Sequence, residues 1–350
     1  MPVIESNYAP PPFLSGGHVQ TLFSSLFRWV DFRYDRRERI GTPDGDFLEL
    51  HWADPQPRRT SEATDERVAV LTHGLEGSAD RPYMRGMARA LVRRGWTVCA
   101  WNLRGCGKTM NQRPITYHSG KTEDLAAVVN HVQARCKGDT SLIGFSLGGN
   151  LTLKYLGERG PAVADRIRGA VVISVPVDLE AASYQIAHWS NRHYTTYFLR
   201  SLREKIQTKA TQHPGVVRTD ALPYIGTLRD FDDAYTAPLN GFRTADTYYR
   251  RASSKPVLGN IAVPTLLLNA ANDPFLPAPC YPRTIAQEHD ALVLEVPESG
   301  GHVGFVTQRG DEYWSERRAA SFLATRPAGG SVSRGPRRST SREGAPRSRW

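Results

Sequence analysis

Residues Gly144–Gly148 form the pattern G-x-S-x-G, in which Ser146 lies between two glycines that are each two positions away. An apolar run precedes the pattern, and a helical run, NLTLKYLGERG, follows it. A strand, a tight turn and a helix in this order present a serine hydroxyl at the first turn of the helix. The helix dipole at that point favours negative charge that develops on a substrate oxygen. The pattern therefore predicts that Ser146 is a nucleophile and that the glycines make room for the turn.

A serine hydroxyl needs a general base, and the base needs an acidic group that orients it. Asp273 follows the apolar run PTLLLNA, and His302 follows the run ALVLEVP in a loop that contains glycines. Because parallel strands end at one edge of a sheet, we expect both residues to lie beside Ser146. We predict that His302 acts as general base and then as general acid, and that Asp273 orients it.

Other interpretations of these residues remain open. Asp273 is also suited to cap a helix before Pro274, and His302 to be an ordinary histidine of a surface loop. Asp178 follows the apolar run GAVVISVPV and is the rival acid, since some hydrolases take their acid from that strand.

Two backbone N–H groups are needed to stabilise the oxyanion that forms when a serine attacks an acyl carbonyl. The residue after the nucleophile, Leu147, is the first expected donor. The second is expected in the loop that reads HGLEGS over residues 73–78, where Leu75 suits the position. We expect His73, in the same loop, to be structural and not catalytic.

The stretch AWNLRGCGKTM, residues 100–110, is similar to a phosphate-binding P-loop because it ends in Gly-Lys-Thr. A P-loop has the pattern G-x-x-x-x-G-K-[ST], and its first glycine would stand at position 102, which is Asn102. Without that glycine the backbone lacks the freedom that lets amides wrap around a phosphate. We interpret the stretch as a tight strand-to-helix loop and not as a nucleotide site.

Short apolar runs that alternate with helical patterns predict the fold class. Runs rich in valine, isoleucine and leucine are typical of strands buried on both faces. Six such runs cover residues 67–74, 97–102, 140–145, 169–177, 264–270 and 291–297, and residues 31–52 indicate two more strands joined by a Pro-Asp-Gly turn. Apolar residues repeat at helical spacing over residues 84–92 and 125–132. The alternation predicts an α/β fold with a mostly parallel sheet of about eight strands and helices on both faces.

The chain divides into five predicted segments. Residues 31–177 and 256–325 form two parts of one core, and residues 178–255, which are polar, aromatic and helical in character, form a helical cap insertion. Residues 1–30 precede the core, and 326–350 form a tail. The first segment carries an apolar stripe at helical spacing, formed by Val19, Leu22, Phe23, Leu26, Phe27 and Val30. We expect this stripe to pack on the core; a helix lying on a membrane surface is the alternative.

The basic charge is concentrated in the tail. The chain has a formal charge of +10, and residues 326–350 hold seven arginines and one glutamate, so residues 1–325 carry only +4. The tail is rich in glycine, proline, serine and arginine, a composition typical of disorder. A solubilising role is expected, with unspecific contact to acidic surfaces as the alternative. No specific nucleic-acid partner is predicted.

Composition also restricts the class of protein. No run approaches the ~20 apolar residues that a membrane helix needs, and residues 1–14 lack the features of a signal peptide. We therefore expect no transmembrane segment and a cytoplasmic location. The four cysteines are scattered and form no metal-ligand pair. The predicted chemistry needs no metal or organic cofactor, and the sequence does not indicate an oligomeric state.

Taken with these residues, the chain resembles the α/β-hydrolase superfamily and, more narrowly, its YheT-like branch. The similarity spans about residues 10–325 and rests on seven blocks in the order of the branch: PPFLSGGHVQTLF, HGLEGS, NLRGCG, YHSGKTEDL, GFSLGGN, NDPFLP and GGHVGF. The resemblance implies an α/β-hydrolase fold, an esterase-like activity, and Ser146, Asp273 and His302 as a catalytic triad. The chain departs from the branch at Gly107-Lys108, where members usually have a Ser-Gly pair. The departure concerns the shape of that loop and contacts to substrate, and not the triad.

Three functions follow from these residues. The first is a hydrolase of carboxylic esters, with short- or medium-chain acyl esters as small-molecule substrates and an acyl-enzyme as intermediate. The second is an acyltransferase, in which an alcohol and not water resolves the same acyl-enzyme. The third is a silent scaffold on the hydrolase fold, against which the complete triad argues.

Overall fold

The computed structural model describes residues 3–55, 67–163, 165–308 and 310–325, and the predicted basic tail, residues 326–350, lies outside these ranges. Within them nine strands form one sheet: β1 (Val3–Ile4), β2 (Arg36–Gly41), β3 (Phe47–Ala53), β4 (Arg67–Thr72), β5 (Trp96–Asn102), β6 (Asp139–Phe145), β7 (Ile167–Ile173), β8 (Thr265–Leu268) and β9 (Leu292–Glu295). Their order across the sheet is β1-β9-β8-β7-β6-β4-β5-β3-β2.

The sheet is mostly parallel, as predicted. Strands β4 to β9 pair in parallel, and β1 pairs in parallel with β9. The two antiparallel pairings in the sheet are those of β3 with β2 and with β5. The hairpin between β2 and β3 turns at Gly45, whose φ of 80° suits glycine. The prediction of about eight strands omitted β1, which has two residues and therefore no periodicity to detect.

Helices cover both faces of the sheet. The described ranges contain α1 (Gly17–Leu26), α2 (Pro82–Val92), α3 (Thr122–Arg135), α4 (Leu147–Arg159), α5 (Leu179–Ala187), α6 (Arg192–Gln212), α7 (Leu228–Phe231), α8 (Ala237–Leu239), α9 (Ala245–Ala252), α10 (Arg283–Gln287) and α11 (Trp314–Ala324). Along β4, Val68 and Val70 point into the core under α3 and α4, whereas Ala69 and Leu71 point into the core under α2 and α11. Both faces of the strand are buried, which explains its uninterrupted apolar run.

Residues 174–264 contain helices and no strand. A separate apolar cluster lies among α6, α7 and the residues between and after these helices, and it includes Leu199, Ile206 and Phe231. A π-helical turn, Asp232–Thr236, joins α7 to α8. The interpretation of residues 178–255 as a cap insertion stays a prediction.

Helix α1 forms where its apolar stripe predicted a helix, and the stripe is divided between core and solvent, since Leu22 packs on a buried cluster and Val30 is buried. The polar residues Gln20 and Thr21 are buried, whereas the apolar residues Leu26 and Phe27 are exposed. The reason is a set of hydrogen bonds: the Gln20 Oε1 accepts from Tyr8 Oη and the Val306 N–H, and Thr21 Oγ1 accepts from the His302 N–H. Polar groups on the core loops thus hold the polar side of the helix.

Candidate active site

Ser146 lies at the junction of β6 and α4, at the carboxyl edge of the parallel strands. Its backbone has φ 51° and ψ −119°, a conformation that L residues rarely adopt. Its N–H donates to the Ile173 carbonyl at 2.9 Å, which ties the turn to the neighbouring strand β7. Such a strained backbone conformation, kept in place by the surrounding structure, is typical of a functional residue.

The two glycines of the motif are required by backbone contacts. A Cβ atom at Gly144 would lie 2.5 Å from the Gly148 carbonyl oxygen, and a Cβ atom at Gly148 would lie 2.4 Å from the His73 carbonyl oxygen. Real Cβ atoms do not come so close, and backbone oxygens cannot rotate away. Steric exclusion therefore explains why both positions are glycine, as the G-x-S-x-G pattern predicts.

The side chains of Ser146, His302 and Asp273 come from distant parts of the chain and form one hydrogen-bonded series. The His302 Nε2 lies 2.9 Å from Ser146 Oγ, and its Nδ1 lies 2.9 Å and 3.1 Å from the two carboxylate oxygens of Asp273. In the tautomer that suits this arrangement, Nδ1–H donates to Asp273 and Nε2 accepts from the serine hydroxyl. The Asp273 side chain is fully buried and that of His302 is 12% exposed. The arrangement can activate a hydroxyl for nucleophilic attack.

The loop that carries His302 is held on both sides of the histidine. The His302 N–H donates to Thr21 Oγ1 at 2.8 Å, and the Val303 N–H donates to Ser174 Oγ at 2.9 Å. The Gly301 N–H donates to the Asn272 Oδ1 at 3.0 Å. These supports could not be predicted from the sequence, because Thr21 and Ser174 are far from His302 along the chain and match no motif.

The loop after β4 brings an unused backbone donor close to Ser146. A Cβ atom at Gly74 would lie 3.0 Å from the Cβ and 3.6 Å from the Oγ of Ser146, so this loop passes directly beside the serine. The N–H of Gly74 donates to Tyr83 Oη and that of Glu76 donates to Tyr117 Oη. Within the described residues, the intervening N–H of Leu75 has no acceptor.

The second predicted donor, Leu147, is the first residue of α4. The N–H groups of the first helical turn have no intrahelical acceptor, and the cap residue Ser146 supplies none from its side chain. Leu75 and Leu147 both line the pocket that contains Ser146. Two N–H groups are thus available near the serine hydroxyl, although their role at an oxyanion stays a prediction.

Glu76 holds the Leu75 loop and is a second supporting group that no sequence pattern predicted. Its Oε1 accepts from Tyr117 Oη at 2.6 Å and from Lys205 Nζ at 2.8 Å, and its Oε2 accepts from Ser201 Oγ. Lys205 and Ser201 belong to α6, so this buried carboxylate links the loop to the helices above the sheet. The block HGLEGS contained Glu76, but nothing in its spacing indicated such partners.

His73 and Asp178 are occupied elsewhere. His73 is fully buried; its Nδ1 donates to the Gly74 carbonyl and its Nε2 accepts from the Leu103 N–H, and burial lowers its pKa to about 3. Asp178 caps α5 by accepting from the Ala181 N–H and pairs with Lys255 at 3.1 Å. The carboxylate that accepts the hydrogen bond from His302 Nδ1–H is that of Asp273 and not that of Asp178.

The P-loop-like stretch has a different geometry. No helix follows it closely, since α3 begins at Thr122, so the connection is longer than the tight loop that we predicted. A Cβ atom at Gly107 would overlap Glu49 Oε2 at 1.9 Å, and the Lys108 N–H donates to the same carboxylate. A carboxylate thus lies where a phosphate would have to bind. Arg104 is turned inward and forms buried ion pairs with Asp46 and Asp124.

A pocket opens at the triad and encloses about 1050 Å³ of empty space, part of it continuous with solvent. Its walls near the triad are apolar and include Leu75, Ile186 and Phe275, and the Phe275 ring centre lies 4.4 Å from that of His302. Helix α6 contributes both apolar and basic residues to the lining, namely Leu202, Ile206, Lys205 and Lys209. The lining suits a ligand that is mainly apolar near the reacting atom.

Comparison with known protein families matches residues 69–308 to the alpha/beta hydrolase fold. The chain belongs to the α/β-hydrolase family. It is 33% identical to the putative esterase YheT of Escherichia coli strain K12 in an alignment of 325 positions that covers 91% of this chain and 94% of that protein. The predicted resemblance to the YheT-like branch is thereby confirmed.

Other α/β-hydrolases with lipid-related names are more distant relatives. The human phospholipase ABHD3 is 29% identical over 87% of this chain and 75% of its own, and the monoacylglycerol lipase of Saccharomyces cerevisiae is 29% identical over 78% of this chain and 62% of its own. Among solved structures, the Pyrococcus furiosus esterase Pf2001 has a TM-score of 0.55 at 18% identity, covering 91% of this chain and 98% of that one. The structural likeness confirms the fold, and the esterase and lipase relatives support hydrolase activity.

Two further features of the described ranges bear on this α/β-hydrolase. No helix in them is long and apolar enough to cross a membrane. No group of three or more histidine, cysteine, aspartate or glutamate side chains in the same ranges is arranged to hold a metal ion.

Proposed function

We propose that this α/β-hydrolase cleaves carboxylic esters through an acyl-enzyme formed on Ser146. The observation that carries the proposal is the continuous hydrogen-bonded series from the Asp273 carboxylate through His302 to Ser146 Oγ, with distances of 2.9 Å at both steps. The free N–H groups beside Ser146 and the apolar pocket support it. The names of the relatives, an esterase, a phospholipase and a lipase, agree with the ester class.

In the proposed reaction, Ser146 Oγ attacks the acyl carbonyl while His302 Nε2 accepts the hydroxyl proton. The N–H groups of Leu75 and Leu147 stabilise the oxyanion. His302 then gives the proton to the leaving alkoxide, which departs as an alcohol. A water molecule, deprotonated by His302, attacks the acyl-enzyme, and the carboxylic acid is released as the proton returns to Ser146. Buried Asp273 keeps the imidazole in its reactive tautomer and stabilises the imidazolium.

The lining of the pocket supports short- or medium-chain acyl esters as substrates. Leu75, Ile186 and Phe275 offer apolar contact close to the serine. Each buried methylene of an acyl chain is worth about 0.8 kcal/mol, so affinity should rise with chain length until the apolar part of the pocket is filled. Methylenes that extend beyond the lining of the pocket remain in water and add no affinity.

Hydrolysis of a series of p-nitrophenyl esters from acetate to laurate tests the proposal. We expect turnover by the wild type, with a maximum at an intermediate chain length, and a loss of more than ~10⁴-fold in kcat for Ser146→Ala. Ser190→Ala is the matched control, because within the described residues that hydroxyl bonds only to the exposed His188. Equal rates for Ser146→Ala and wild type would refute the proposal.

The series also separates the proposed hydrolase from the other two predicted functions. If excess alcohol increases the yield of a new ester at the expense of free acid, an alcohol and not water resolves the acyl-enzyme. A folded protein that turns over no ester in the series would support the scaffold.

A further inference from the structure

Asp232 is a carboxylate in the pocket that the proposed reaction does not use. Among the described residues that line this pocket together with Ser146 and His302, it is the only acidic one. It begins the π-helical turn Asp232–Thr236 between α7 and α8. Such turns are rare and are often found at functional sites. A carboxylate in a mainly apolar pocket also needs a partner that stabilises its charge.

Two neighbouring hydroxyl groups hold this carboxylate. Tyr249 Oη, on α9, donates to Asp232 Oδ2 at 2.7 Å, and the side chain of Thr236 also donates a hydrogen bond to the carboxylate. Both partners line the same pocket, and Asp232 itself is only half-buried. An ionised carboxylate can accept about four hydrogen bonds, so these two leave room for a ligand.

No cation neutralises Asp232. In the part of the chain that the structure describes, no lysine, arginine or histidine nitrogen lies within 4 Å of its carboxylate; Arg229, one turn earlier, pairs with Asp246 instead. Burial raises the pKa of Asp232 to about 6, although the hydrogen bonds from Thr236 and Tyr249 oppose this shift. The carboxylate is therefore ionised at pH 8 at a free-energy cost that a bound cation would reduce.

The basic residues of the same lining are held by other groups. Lys205 pairs with Glu76 at 2.8 Å, and Arg104 is paired with three carboxylates. Lys209 donates to the Arg113 carbonyl at 2.7 Å, and burial lowers its pKa to about 8, so it has lost part of its charge at pH 8. The lining therefore offers a cation an attractive site at Asp232 while its own positive charges are engaged elsewhere.

Two tyrosine rings beside Asp232 supply a second attraction for a cation. The ring centres of Tyr248 and Tyr249, on α9, lie 5.1 Å apart, and both residues line the pocket. Burial and the negative charge of Asp232 raise the pKa of both tyrosines above the ordinary value, so both rings lie within the field of the carboxylate. Aromatic faces attract cations, most strongly where water is excluded. A carboxylate beside aromatic rings suits an ammonium group.

Hydrogen bonds connect α9 to the catalytic turn. Tyr248 Oη donates to Ser119 Oγ, and the Ser119 carbonyl accepts from Asn150 Nδ2. Asn150 belongs to α4, the helix that begins directly after Ser146. These bonds hold α9 in place relative to Ser146, so a ligand that contacts both meets a fixed frame, as selective binding requires.

We propose that Asp232 binds a positively charged group of the substrate, and that the substrates are carboxylic esters that carry an ammonium group. The inference rests on the proposed ester hydrolysis and deepens it, because it names the class of ester. In the complex, the ester carbonyl lies at Ser146, and the ammonium group contacts the Asp232 carboxylate and the rings of Tyr248 and Tyr249. The apolar lining contacts the methylenes of the ester.

Two esters of the same shape test the proposal at pH 8, where the Asp232 carboxylate is ionised. Butyrylcholine has a quaternary ammonium group, and 3,3-dimethylbutyl butyrate has a carbon atom in place of the nitrogen and no charge. We expect kcat/KM of the wild type to be at least about 10-fold higher for the charged ester. Asp232→Asn should lower kcat/KM for the charged ester at least about 10-fold more than for the neutral one.

Asp233→Asn is the matched control. Asp233 lies in the same π-helical turn and is exposed, and it is not among the described residues that line the pocket. Its Oδ1 accepts from the Ala245 N–H, which an asparagine oxygen can also do. The charge change is thus the same, one residue away, and the variant should keep the preference of the wild type. Circular dichroism of both variants excludes misfolding.

The same preference for the charged ester in wild type and Asp232→Asn would overturn the proposal, and so would a wild type that prefers the neutral ester. Isothermal titration with hexyltrimethylammonium is a second readout that needs no turnover. Wild type and Asp233→Asn should bind this cation at least about 10-fold more tightly than Asp232→Asn does, and equal affinities would overturn the proposal. Turnover of p-nitrophenyl butyrate reports separately on ester hydrolysis, so a failure of the proposed function is distinguished from a failure of cation binding.

Discussion

Replacing Gly74 by alanine should damage the proposed oxyanion site without removing any catalytic side chain. The new Cβ atom would lie 3.0 Å from Ser146 Cβ and 3.3 Å from the Phe145 carbonyl oxygen, so loop and serine must separate by a few tenths of an ångström. The backbone of Gly74 does not have the positive φ that would make alanine strained by itself. The whole effect of Gly74→Ala therefore comes from the displacement.

The size of the effect follows from the narrow tolerance of a hydrogen bond to an oxyanion. Donors act at about 2.7–3.1 Å, so a displacement of a few tenths of an ångström uses most of that range. Complete loss of one donor lowers kcat by ~10²–10³-fold, and a displaced Leu75 N–H should lose part of that. We expect kcat to fall about 10- to 100-fold, which is ~1.4–2.7 kcal/mol, with KM changed less than about threefold.

Steady-state kinetics on a p-nitrophenyl ester measure this prediction. Gly41→Ala is the matched control, since a Cβ atom there meets nothing within 4 Å, and it should retain wild-type kcat. Thermal unfolding of both variants separates local displacement from loss of the fold. A Gly74→Ala variant with kcat within threefold of wild type would refute the assignment of this loop to the oxyanion.

Three further predictions concern the acid of the triad, the inward arginine and a buried lysine. Asp273→Asn should lower kcat by ~10⁴-fold, because His302 loses its orienting carboxylate. Asp178→Asn should change kcat by less than about threefold, and a loss of kcat in this variant as large as that in Asp273→Asn would favour Asp178 as the acid. Arg104→Met should lower the free energy of unfolding, measured in urea, by about 3–5 kcal/mol, because it leaves buried carboxylates unpaired. The control Arg218→Met changes a side chain that is 78% exposed and should lower it by less than about 0.5 kcal/mol. Burial lowers the pKa of Lys209 to about 8, below its value in the unfolded chain, so the unfolded chain binds more protons than the folded one between pH 8 and 10.5. The free energy of unfolding of the wild type should therefore rise by on the order of 3 kcal/mol relative to that of Lys209→Met across that window. The same pH dependence in both proteins would contradict this.

The sequence predicted the site best at positions where the backbone geometry that the function needs permits few residue types. Ser146 was found because its turn excludes side chains at Gly144 and Gly148, and such steric limits leave a pattern in the sequence. Asp273 and His302 were found because each follows a buried strand, and the ends of parallel strands share one edge of the sheet. The strands themselves were found because burial on both faces requires uninterrupted apolar runs.

What the sequence did not reveal are contacts between residues that are far apart along the chain. Thr21 supports His302 across 281 positions, and Glu76 reaches Lys205 on α6 across 129. Polar residues in loops and helices have many possible partners, so their types alone do not select one. The orientation of α1 was missed for the same reason: an apolar stripe indicates a helix, but the hydrogen bonds of Gln20 decide which side faces the core.

Labelling with a fluorophosphonate probe tests the central claim most directly, because the probe reacts only with an activated serine. We expect a single adduct, located on Ser146 by peptide mapping, that is absent from Ser146→Ala and strongly reduced in His302→Ala. An adduct on another serine, or no adduct on the folded wild type, would contradict the account of Ser146 as the nucleophile.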